Sequence, residues 1–424
     1  MNNHGPYLKK VAASSLFNSA TSALATAILL PLVIKTIGIQ SYGLWAILSV
    51  FVGIASALDF GVWKALVFLI PRAQFSRNQL LSSSTTLCVS GGLLFTTIFA
   101  VLLLARIQLF GSTVANQGNL IWWLAASGCV IVWSSLLTNL ARGALEASYR
   151  GHWVNIGYGL LTVFQYGIAA IVAQWTHDPR AFIAGSAIVY VLNLLGHVAC
   201  LSPQSKRLER PHRAAMVSIL RYGSASFIAD APSIILGPLI LYLFLFVAKD
   251  SGQYGAFDIA LRIATLAATT LSMLSTPFFA IVSSAKIGGR GEVRAMVARH
   301  LRVTVFLAAI GCTVYWAVGR PILGVFFFER SAEIYHASLI MLIGTAAVAA
   351  LEPVTRMLMG IGRMGVLSLV RLAMLGSALL CIAALGRVAP LDRFAISCAV
   401  GFGVSAIGLL LLNKSERWGE TESA

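Results

Sequence analysis

The chain has 424 residues, of which 58% are hydrophobic and only 11% are charged, whereas an ordinary soluble domain carries roughly 25% charged residues. Its 31 Lys and Arg outnumber the 15 Asp and Glu, which gives a formal net charge of +16. In a nucleic-acid-binding protein such an excess covers a charge-rich surface, but here it lies in short segments between long apolar runs. Composition therefore excludes a soluble globular protein, argues against nucleic acid as a partner, and predicts a polytopic membrane protein.

The first apolar run follows a basic start that resembles a signal peptide. However, the run is long, contains Asn18 and Pro31, and lacks a small-residue cleavage site. We therefore interpret it as the first membrane span. The six cysteines lie in or beside apolar runs without CxxC spacing, so they predict neither a disulfide framework nor a metal site.

Twelve windows of about 20 apolar residues, each long enough to cross roughly 30 Å of hydrocarbon, predict an all-α chain of twelve spans. The first six lie near 16–37, 42–68, 80–104, 120–141, 153–175 and 181–201. The second six lie near 220–247, 254–282, 301–319, 335–359, 366–386 and 393–412.

The two sets of spans form a repeat. The tripeptide "SYG" at 41–43 recurs as "QYG" at 253–255, half the length of the chain further on, and the fifth and sixth spans recur with the same offset. Six spans per copy let both halves enter the membrane from the same side, so they are expected to pair around a central cavity. We predict two six-helix bundles, 1–210 and 211–424.

Basic residues in the predicted loops indicate the orientation. Eighteen Lys and Arg, Arg142 among them, fall on the side that holds both termini, against seven on the opposite side. The positive-inside rule then places both termini in the cytoplasm, and attraction of anionic lipid headgroups is an additional role for these loops.

Ten ionisable side chains fall within or at the ends of the spans, although a charge at the bilayer centre costs roughly 2.5–3.5 kcal/mol on insertion scales. They are Lys35, Lys64, Arg221, Arg262, Arg356, Arg371, Asp59, Asp230, Asp258 and Glu352. Seven of the ten lie on spans 1, 2, 7 and 8, the first two helices of each repeat. This concentration predicts a polar cavity formed by those four spans.

Span 8 carries the longest polar stripe: Asp258, Arg262, Thr265, Thr269, Ser272 and Thr276, separated by three or four residues. At about 100° per residue these side chains share one face, which must meet protein or water. Shorter stripes occur on span 1 (Asn18, Ser22, Thr26) and span 7 (Ser226, Asp230, Ser233). Pro31, Pro232 and Pro238 are expected to interrupt spans 1 and 7.

Each charge also has a purely structural explanation. Asp258 with Arg262, and Glu352 with Arg356, have the i,i+4 spacing of an intrahelical ion pair, and hydroxyl stripes also join helices to one another. We favour cavity lining for the first pair and a structural role for the second. Lys35, Lys64 and Arg371 have no acid one turn away, which favours an external anion as their partner, although Lys35 also has the option of snorkelling to the interface.

Motifs for catalysis and nucleotide binding are absent. The sequence has no Walker A, HExxH or GxSxG motif, and its one GxGxxG match, at 360–365, lies in a short turn between two spans. The outer loops are too short to hold the acceptor of a membrane polymerase. No enzymatic activity and no cofactor or metal are therefore expected.

The segment "LLPLVIKTIGIQSYGLWAI…SALDFGVWKAL" resembles the polysaccharide-transporter flippases, of the O-antigen type, within the multidrug/oligosaccharidyl-lipid/polysaccharide (MOP) exporter superfamily. The matching features are Pro31, Gly38, the Tyr42–Gly43 pair with Trp45, and the Asp59–Gly61 motif near the inner end of span 2. Lys64 is not a regular feature of that family. The resemblance covers essentially the whole chain, because the length and the six-plus-six spans match as well.

The resemblance implies a fold like that of the MATE transporters, and an undecaprenyl-pyrophosphate-linked oligosaccharide as the molecule flipped across the bacterial inner membrane. We predict phosphate contacts from Arg262, Lys64, Lys35 and Arg371, and proton coupling or orientation of these bases by Asp59, Asp230 and Asp258. Asn18, Ser22, Thr26, Thr265, Thr269 and Ser272 are expected to line the cavity. Expected partners are the lipid bilayer, a polysaccharide polymerase and glycosyltransferases. A MATE-like small-molecule antiporter and a membrane-embedded glycosyl polymerase or transferase are the alternatives.

Overall fold

A computed structural model describes residues 4–33, 35–36, 53, 59–72, 74–104, 120–176, 178–202, 209–247, 251–284, 290–327 and 330–415. Every regular element in these ranges is helical, which confirms the predicted all-α class. The physical reason is that a helix satisfies its own backbone hydrogen bonds, as a segment in hydrocarbon must.

The described helices are numbered in chain order. They are α1 (His4–Leu24), which continues into a π-helical turn (Ala25–Leu29), α2 (Val62–Leu69), α3 (Arg77–Leu104), α4 (Leu120–Ala147), α5 (Gly151–Thr176), α6 (Pro179–Ala199), α7 (Arg213–Val247), α8 (Ser251–Ser284), α9 (Arg290–Phe327), α10 (Ser331–Ala350), α11 (Glu352–Gly360), α12 (Met364–Ala384) and α13 (Pro390–Ser415).

Seven segments among the described residues are long and apolar enough to cross a membrane. They are Arg77–Val101, Trp122–Ala147, Arg180–Ala199, Ala295–Val325, Ser331–Ala350, Met364–Ala384 and Pro390–Asn413. Each overlaps one of the twelve spans expected from hydropathy. The chain is therefore a multi-pass membrane protein. Most of the predicted second span, near 42–68, lies outside the described residues, which include only Gly53 and the C-terminal end of the span from Asp59 onward.

The internal repeat is visible in where the helices begin. Helices α3 to α6 begin at positions 77, 120, 151 and 179, and helices α9, α10, α12 and α13 begin at positions 290, 331, 364 and 390. Each start in the second set thus follows its counterpart by very nearly half the length of the chain.

The turns before α5 and α12 also match. Tyr149 and Gly362 both have positive φ, 57° and 84°. In each turn the next residue, Arg150 or Arg363, donates its N–H to a carbonyl five residues earlier, the pattern that closes a helix in a Schellman motif. The repeat therefore extends from the helices to the backbone conformation of a turn between them.

Contacts divide the chain into two compact units, residues 20–227 and residues 1–19 with 228–424. Helix α7 contributes Arg213 to Phe227 to the first unit and the rest of its length to the second. These units do not coincide with the bundles expected at 1–210 and 211–424. Those bundles are defined by the repeat rather than by compactness, and they stay a prediction.

The prolines of spans 1 and 7 have different outcomes. The π-helical turn at 25–29 precedes Pro31, and such turns accommodate a break in the regular hydrogen bonding. Helix α7, in contrast, continues through Pro232 and Pro238 to Val247. The expected interruption of span 7 is therefore wrong, since the helix is continuous through both prolines; a membrane helix tolerates proline where other groups satisfy the freed backbone.

Within unit 20–227, the turn before α2 packs directly on α7. Phe60 and Gly61 both have positive φ, 47° and 70°, and Val62 donates its N–H to the Asp59 carbonyl at 2.9 Å, which is the pattern of a type I′ turn. A Cβ on Gly61 would lie 2.5 Å from the carbonyl oxygen of Gly223, and a Cβ on Gly223 would lie 2.5 Å from the Phe60 oxygen. The two backbones touch because neither position has a side chain.

Aromatic rings surround this backbone contact. Phe60, held in the left-handed region that non-glycine residues rarely adopt, packs edge-on against Phe227 with ring centroids 5.7 Å apart. Phe68 stacks on Tyr222 at 3.9 Å. These contacts offset the strain at Phe60 and fix the C-terminal end of span 2 against α7.

Replacing Gly61 by alanine is expected to destabilise the protein by about 2–4 kcal/mol, because the new Cβ both strains the positive φ and meets the Gly223 carbonyl. Gly376→Ala is the matched control, since a Cβ at this position in the middle of α12 would have no heavy atom within 4 Å. That variant should be neutral or more stable by about 0.5–1 kcal/mol. Thermal unfolding of the purified protein in detergent measures both. Equal stability of the two variants would contradict the close contact.

Candidate functional site

Asp59 begins the turn that packs on α7, and its side chain is buried. One carboxylate oxygen, Oδ1, accepts the Gly61 N–H at 2.5 Å. The other, Oδ2, is buried and has no hydrogen-bond donor among the residues that the structure describes. Lys64 and Arg142 are the cations that act on this carboxylate, and Asn139 is its polar side-chain neighbour. Asp59 is thus held by its own turn while one oxygen is left for another donor.

The Trp63 ring contacts the two cations that act on Asp59. The centroid of its indole ring lies 4.0 Å from the Arg142 guanidinium carbon and 5.3 Å from the Lys64 ammonium nitrogen. An aromatic face attracts cations, more strongly when they are removed from water. Helix α4 approaches α2 closely at Gly143, where a Cβ would lie 2.8 Å from the Trp63 carbonyl oxygen.

An ion pair and a tyrosine complete the network on its α4 and α5 side. Arg142 donates through Nε to Glu146 Oε1 at 2.8 Å, and Glu146 is only 4% exposed. Tyr158 on α5 donates its hydroxyl to Asn139 Oδ1 at 3.4 Å. These residues are called the Asp59 network below: Asp59, Trp63, Lys64, Asn139, Arg142, Glu146 and Tyr158. Its two acids, Asp59 and Glu146, balance its two bases, Lys64 and Arg142, so its net formal charge is zero.

A cavity of about 210 Å³ opens beside the Asp59 network, between the turn and helices α3 and α7. Apart from Asp59 and Ser90, its walls are mainly apolar side chains such as Leu87, Leu94 and Leu220. A volume of this size admits water or a small ligand group. Asp59 therefore lines a small, mostly apolar cavity, with its unpaired Oδ2 buried in the wall.

A second buried group of charges lies within the unit of residues 1–19 and 228–424. Glu352 Oε1 lies 2.8 Å from Arg356 Nη2, and Glu352 Oε2 lies 3.9 Å from Arg371 Nη2. Arg371 has no acid one turn away on its own helix, as the sequence indicates, but Glu352 reaches it from α11 and is a partner within the chain. Glu352, Arg356 and Arg371 are called the Glu352 triad below.

The polar stripe of α8 is present, and its members bond mostly to their own helix. Asp258 Oδ2 accepts from Arg262 Nε at 2.7 Å, so the i,i+4 ion pair forms. The hydroxyls donate to backbone oxygens three or four residues earlier: Thr265 to Leu261, Thr269 to Thr265, and Ser272 to Thr269. Thr265 and Thr269 are exposed at the surface of the chain, where a cavity-lining role remains a prediction.

The remaining predicted residues are scattered. Lys35 is exposed, whereas Lys64 and Asn18 are buried. Ser22 donates to the Thr162 hydroxyl at 3.3 Å, and Thr26 is half-buried. The side chain of Asp230 lies outside the described part of the chain.

The candidate residues belong to both units. Lys35, Asp59 and Lys64 fall in residues 20–227, and Arg262, Asp258 and Arg371 fall in the other unit. Their convergence on a single electropositive chamber stays a prediction.

Sequence reasoning missed Arg142, Glu146 and Tyr158. Arg142 was assigned to a cytoplasmic loop, but it lies inside α4, which runs to Ala147, and stacks on Trp63. The assignment to a loop is wrong because the helix extends beyond its apolar window, whereas the cytoplasmic side stays a prediction. The i,i+4 spacing of Arg142 and Glu146 was a signal that a longer helix continued there.

No family model matches the sequence, and no curated protein matches it either. Solved structures do. The Vibrio cholerae MATE transporter VcmN in its bent form is 13% identical, with a TM-score of 0.71 over 98% of each chain. A MATE transporter in complex with MaL6 is 15% identical, with a TM-score of 0.73 over 96% of this chain and 95% of that one.

A third neighbour is a MOP superfamily transporter from Pyrococcus furiosus, described as having a binding pocket of reversed polarity that suggests a different function. It is 14% identical, with a TM-score of 0.69 over 96% of this chain and 94% of that one. The chain therefore has the fold of the MATE transporters of the MOP superfamily, as the sequence predicted.

Removing the acid of the buried α4 pair tests the Asp59 network. Glu146→Gln is expected to cost about 1–3 kcal/mol of stability, because it leaves the Arg142 charge with a weaker acceptor. The double variant Arg142→Met, Glu146→Leu should regain most of that loss, since no unpaired charge remains. Thermal unfolding in detergent gives both values. Additive losses in the double variant would show that the pair is not coupled.

Proposed function

We propose that this protein is a secondary transporter that exposes a central site alternately to the two sides of a membrane. The observation that supports it is the MATE fold, matched over 96% of the chain or more. The repeat of helix starts at half the chain length supports it further, because two related halves are the usual basis of alternating access. An enzymatic role has no support from the residues described above.

For the coupling ion we propose a proton carried by Asp59. Asp258 is engaged by Arg262 at 2.7 Å, so protonating it would break a buried ion pair. Asp59 keeps one carboxylate oxygen without a donor among the described residues, beside a cavity. Buried acids inside membrane proteins commonly form proton relays. The combination fits an antiporter of small molecules, one of the alternatives that the sequence left open.

The second candidate is a flippase for an undecaprenyl-pyrophosphate-linked oligosaccharide, acting in the bacterial inner membrane with both termini in the cytoplasm. Two observations favour it. The Glu352 triad has more basic than acidic groups, which suits a phosphate rather than an organic cation. The neighbour from Pyrococcus furiosus is described as having a pocket of reversed polarity, so the fold is not restricted to one polarity. Polymerase and glycosyltransferase partners belong to this candidate.

Asp59→Asn is expected to abolish transport driven by a pH gradient while the protein still folds. The amide retains an oxygen for the Gly61 N–H but does not take up and release the coupling proton. Uptake into proteoliposomes with an imposed pH gradient measures the effect. Asp178→Asn is the matched control, because Asp178 is an exposed N-cap of α6, where asparagine serves equally well. Normal transport by Asp59→Asn would reject the proposed proton site.

The two substrate classes separate in cells. A small-molecule antiporter should restore drug resistance to a host that lacks its own exporters. A flippase should instead restore surface polysaccharide to a host that lacks its own flippase. The gene of a flippase should also lie beside glycosyltransferase genes. In vesicles, collapsing the membrane potential while the pH gradient is kept should stop only a transporter driven by the potential, which does about 2.3 kcal/mol of work per charge per 100 mV.

A further inference from the structure

The Glu352 triad has one carboxylate between two guanidinium groups. The side chains of Arg371, Glu352 and Arg356 are only 6%, 11% and 13% exposed. Arginine stays protonated in proteins, so the formal charge of the triad is +1 when Glu352 is ionised. A buried charge without a full counter-charge is unfavourable. The triad therefore carries one more positive charge than its own residues balance.

Hydrogen bonding leads to the same conclusion. The Nε atoms of both Arg356 and Arg371 are buried and have no acceptor among the residues that the structure describes. Each guanidinium therefore directs one terminal nitrogen toward Glu352, and its Nε–H is left for another acceptor. Forked donors of this kind bind carboxylate or phosphate oxygens in pairs.

The internal repeat places uncharged residues at the positions that match Glu352 and Arg371. Asn139 and Tyr158 precede Glu352 and Arg371 by the same offset that separates the helix-closing turns at Tyr149 and Gly362. In the first half, Tyr158 donates to Asn139 at 3.4 Å, and in the second half Arg371 lies 3.9 Å from Glu352. The same two positions of the repeat thus hold a neutral pair in the first half and a charged pair in the second half.

We infer that the Glu352 triad is a binding site for one phosphate group. Arg371 lies seven residues after the start of α12 at Met364, about 10 Å along the helix from the turn at 361–363. The basic-residue count assigns that turn to the cytoplasmic side, so the triad is near the depth of the inner-leaflet headgroups. The phosphate belongs either to a lipid headgroup or to a soluble molecule. This inference deepens the second candidate function, but binding itself does not depend on transport.

Binding of ³²P-labelled inorganic phosphate to the full-length protein in nonionic detergent, by equilibrium dialysis at constant ionic strength, tests the site. We expect one saturable site per chain. Arg371→Tyr, which copies the residue at the matching position of the first half, should weaken binding by at least about tenfold, because charge-assisted hydrogen bonds are lost. Arg363→Tyr removes the same charge from an exposed position in the adjacent turn and should leave binding unchanged.

Thermal unfolding distinguishes a binding site from a structural ion cluster. A phosphate site predicts that phosphate raises the Tm of the wild type and not that of Arg371→Tyr, and that without phosphate the variant is at least as stable as the wild type. A lower Tm for Arg371→Tyr together with no phosphate effect on the wild type would overturn the inference. Because these readouts need no transport, they stand or fall separately from the proposed function.

Competition between lipids and labelled phosphate identifies the source of the phosphate. In nanodiscs, phosphatidylglycerol should compete with labelled phosphate, and phosphatidylcholine should not, if an anionic headgroup is the natural occupant. Lack of competition, with phosphate binding intact and sensitive to Arg371→Tyr, supports a soluble phosphate compound at the same site. Binding equally strong in Arg371→Tyr and the wild type would overturn the assignment to the triad.

Discussion

An ionised side chain between apolar helices needs a counter-charge, a hydrogen-bonding partner or an aromatic face, because little water is present to solvate it. This constraint organises the polar part of the protein. Arg142 meets both Glu146 and the Trp63 ring, Arg262 meets Asp258, and Arg356 meets Glu352. Even with these partners assigned, the Asp59 carboxylate and the guanidinium groups of Arg356 and Arg371 are among the groups that stay incompletely satisfied within the described residues.

The two halves of the repeat use one helical framework for different electrostatic purposes. In the first half, the positions related by the repeat hold a neutral amide and phenol beside a balanced set of charges. In the second half, the matching positions hold an acid and a base, and a further arginine makes the balance positive. A duplicated scaffold permits this divergence, since the helix starts and the closing turns recur in both halves although the side chains at these positions differ.

The sequence was informative wherever a property is local. Hydropathy located the helices, since each span must be apolar over its own length, and the recurrence of one tripeptide at half the chain length anticipated the spacing of the helix starts. Intrahelical pairs such as Asp258 with Arg262 followed from spacing alone.

Contacts between helices were not accessible in this way. Nothing local connects Arg371 to Glu352, which lies on the preceding helix and beyond a turn, and Tyr158 is an ordinary aromatic residue until its hydroxyl is seen beside Asn139. The end of α4 was misplaced because hydropathy reports the apolar core and not the helix that extends past it.

The contact between Gly61 and Gly223 has an evolutionary consequence. Two segments of the main chain meet there without any intervening side chain. A Cβ added at either glycine would lie against a carbonyl oxygen of the opposite segment. A mutation at either site removes the reason for keeping the other, since the segments would already have moved apart. Homologous chains should therefore retain both glycines or lose both, and a lineage that has lost them should also have released Phe60 from its left-handed backbone.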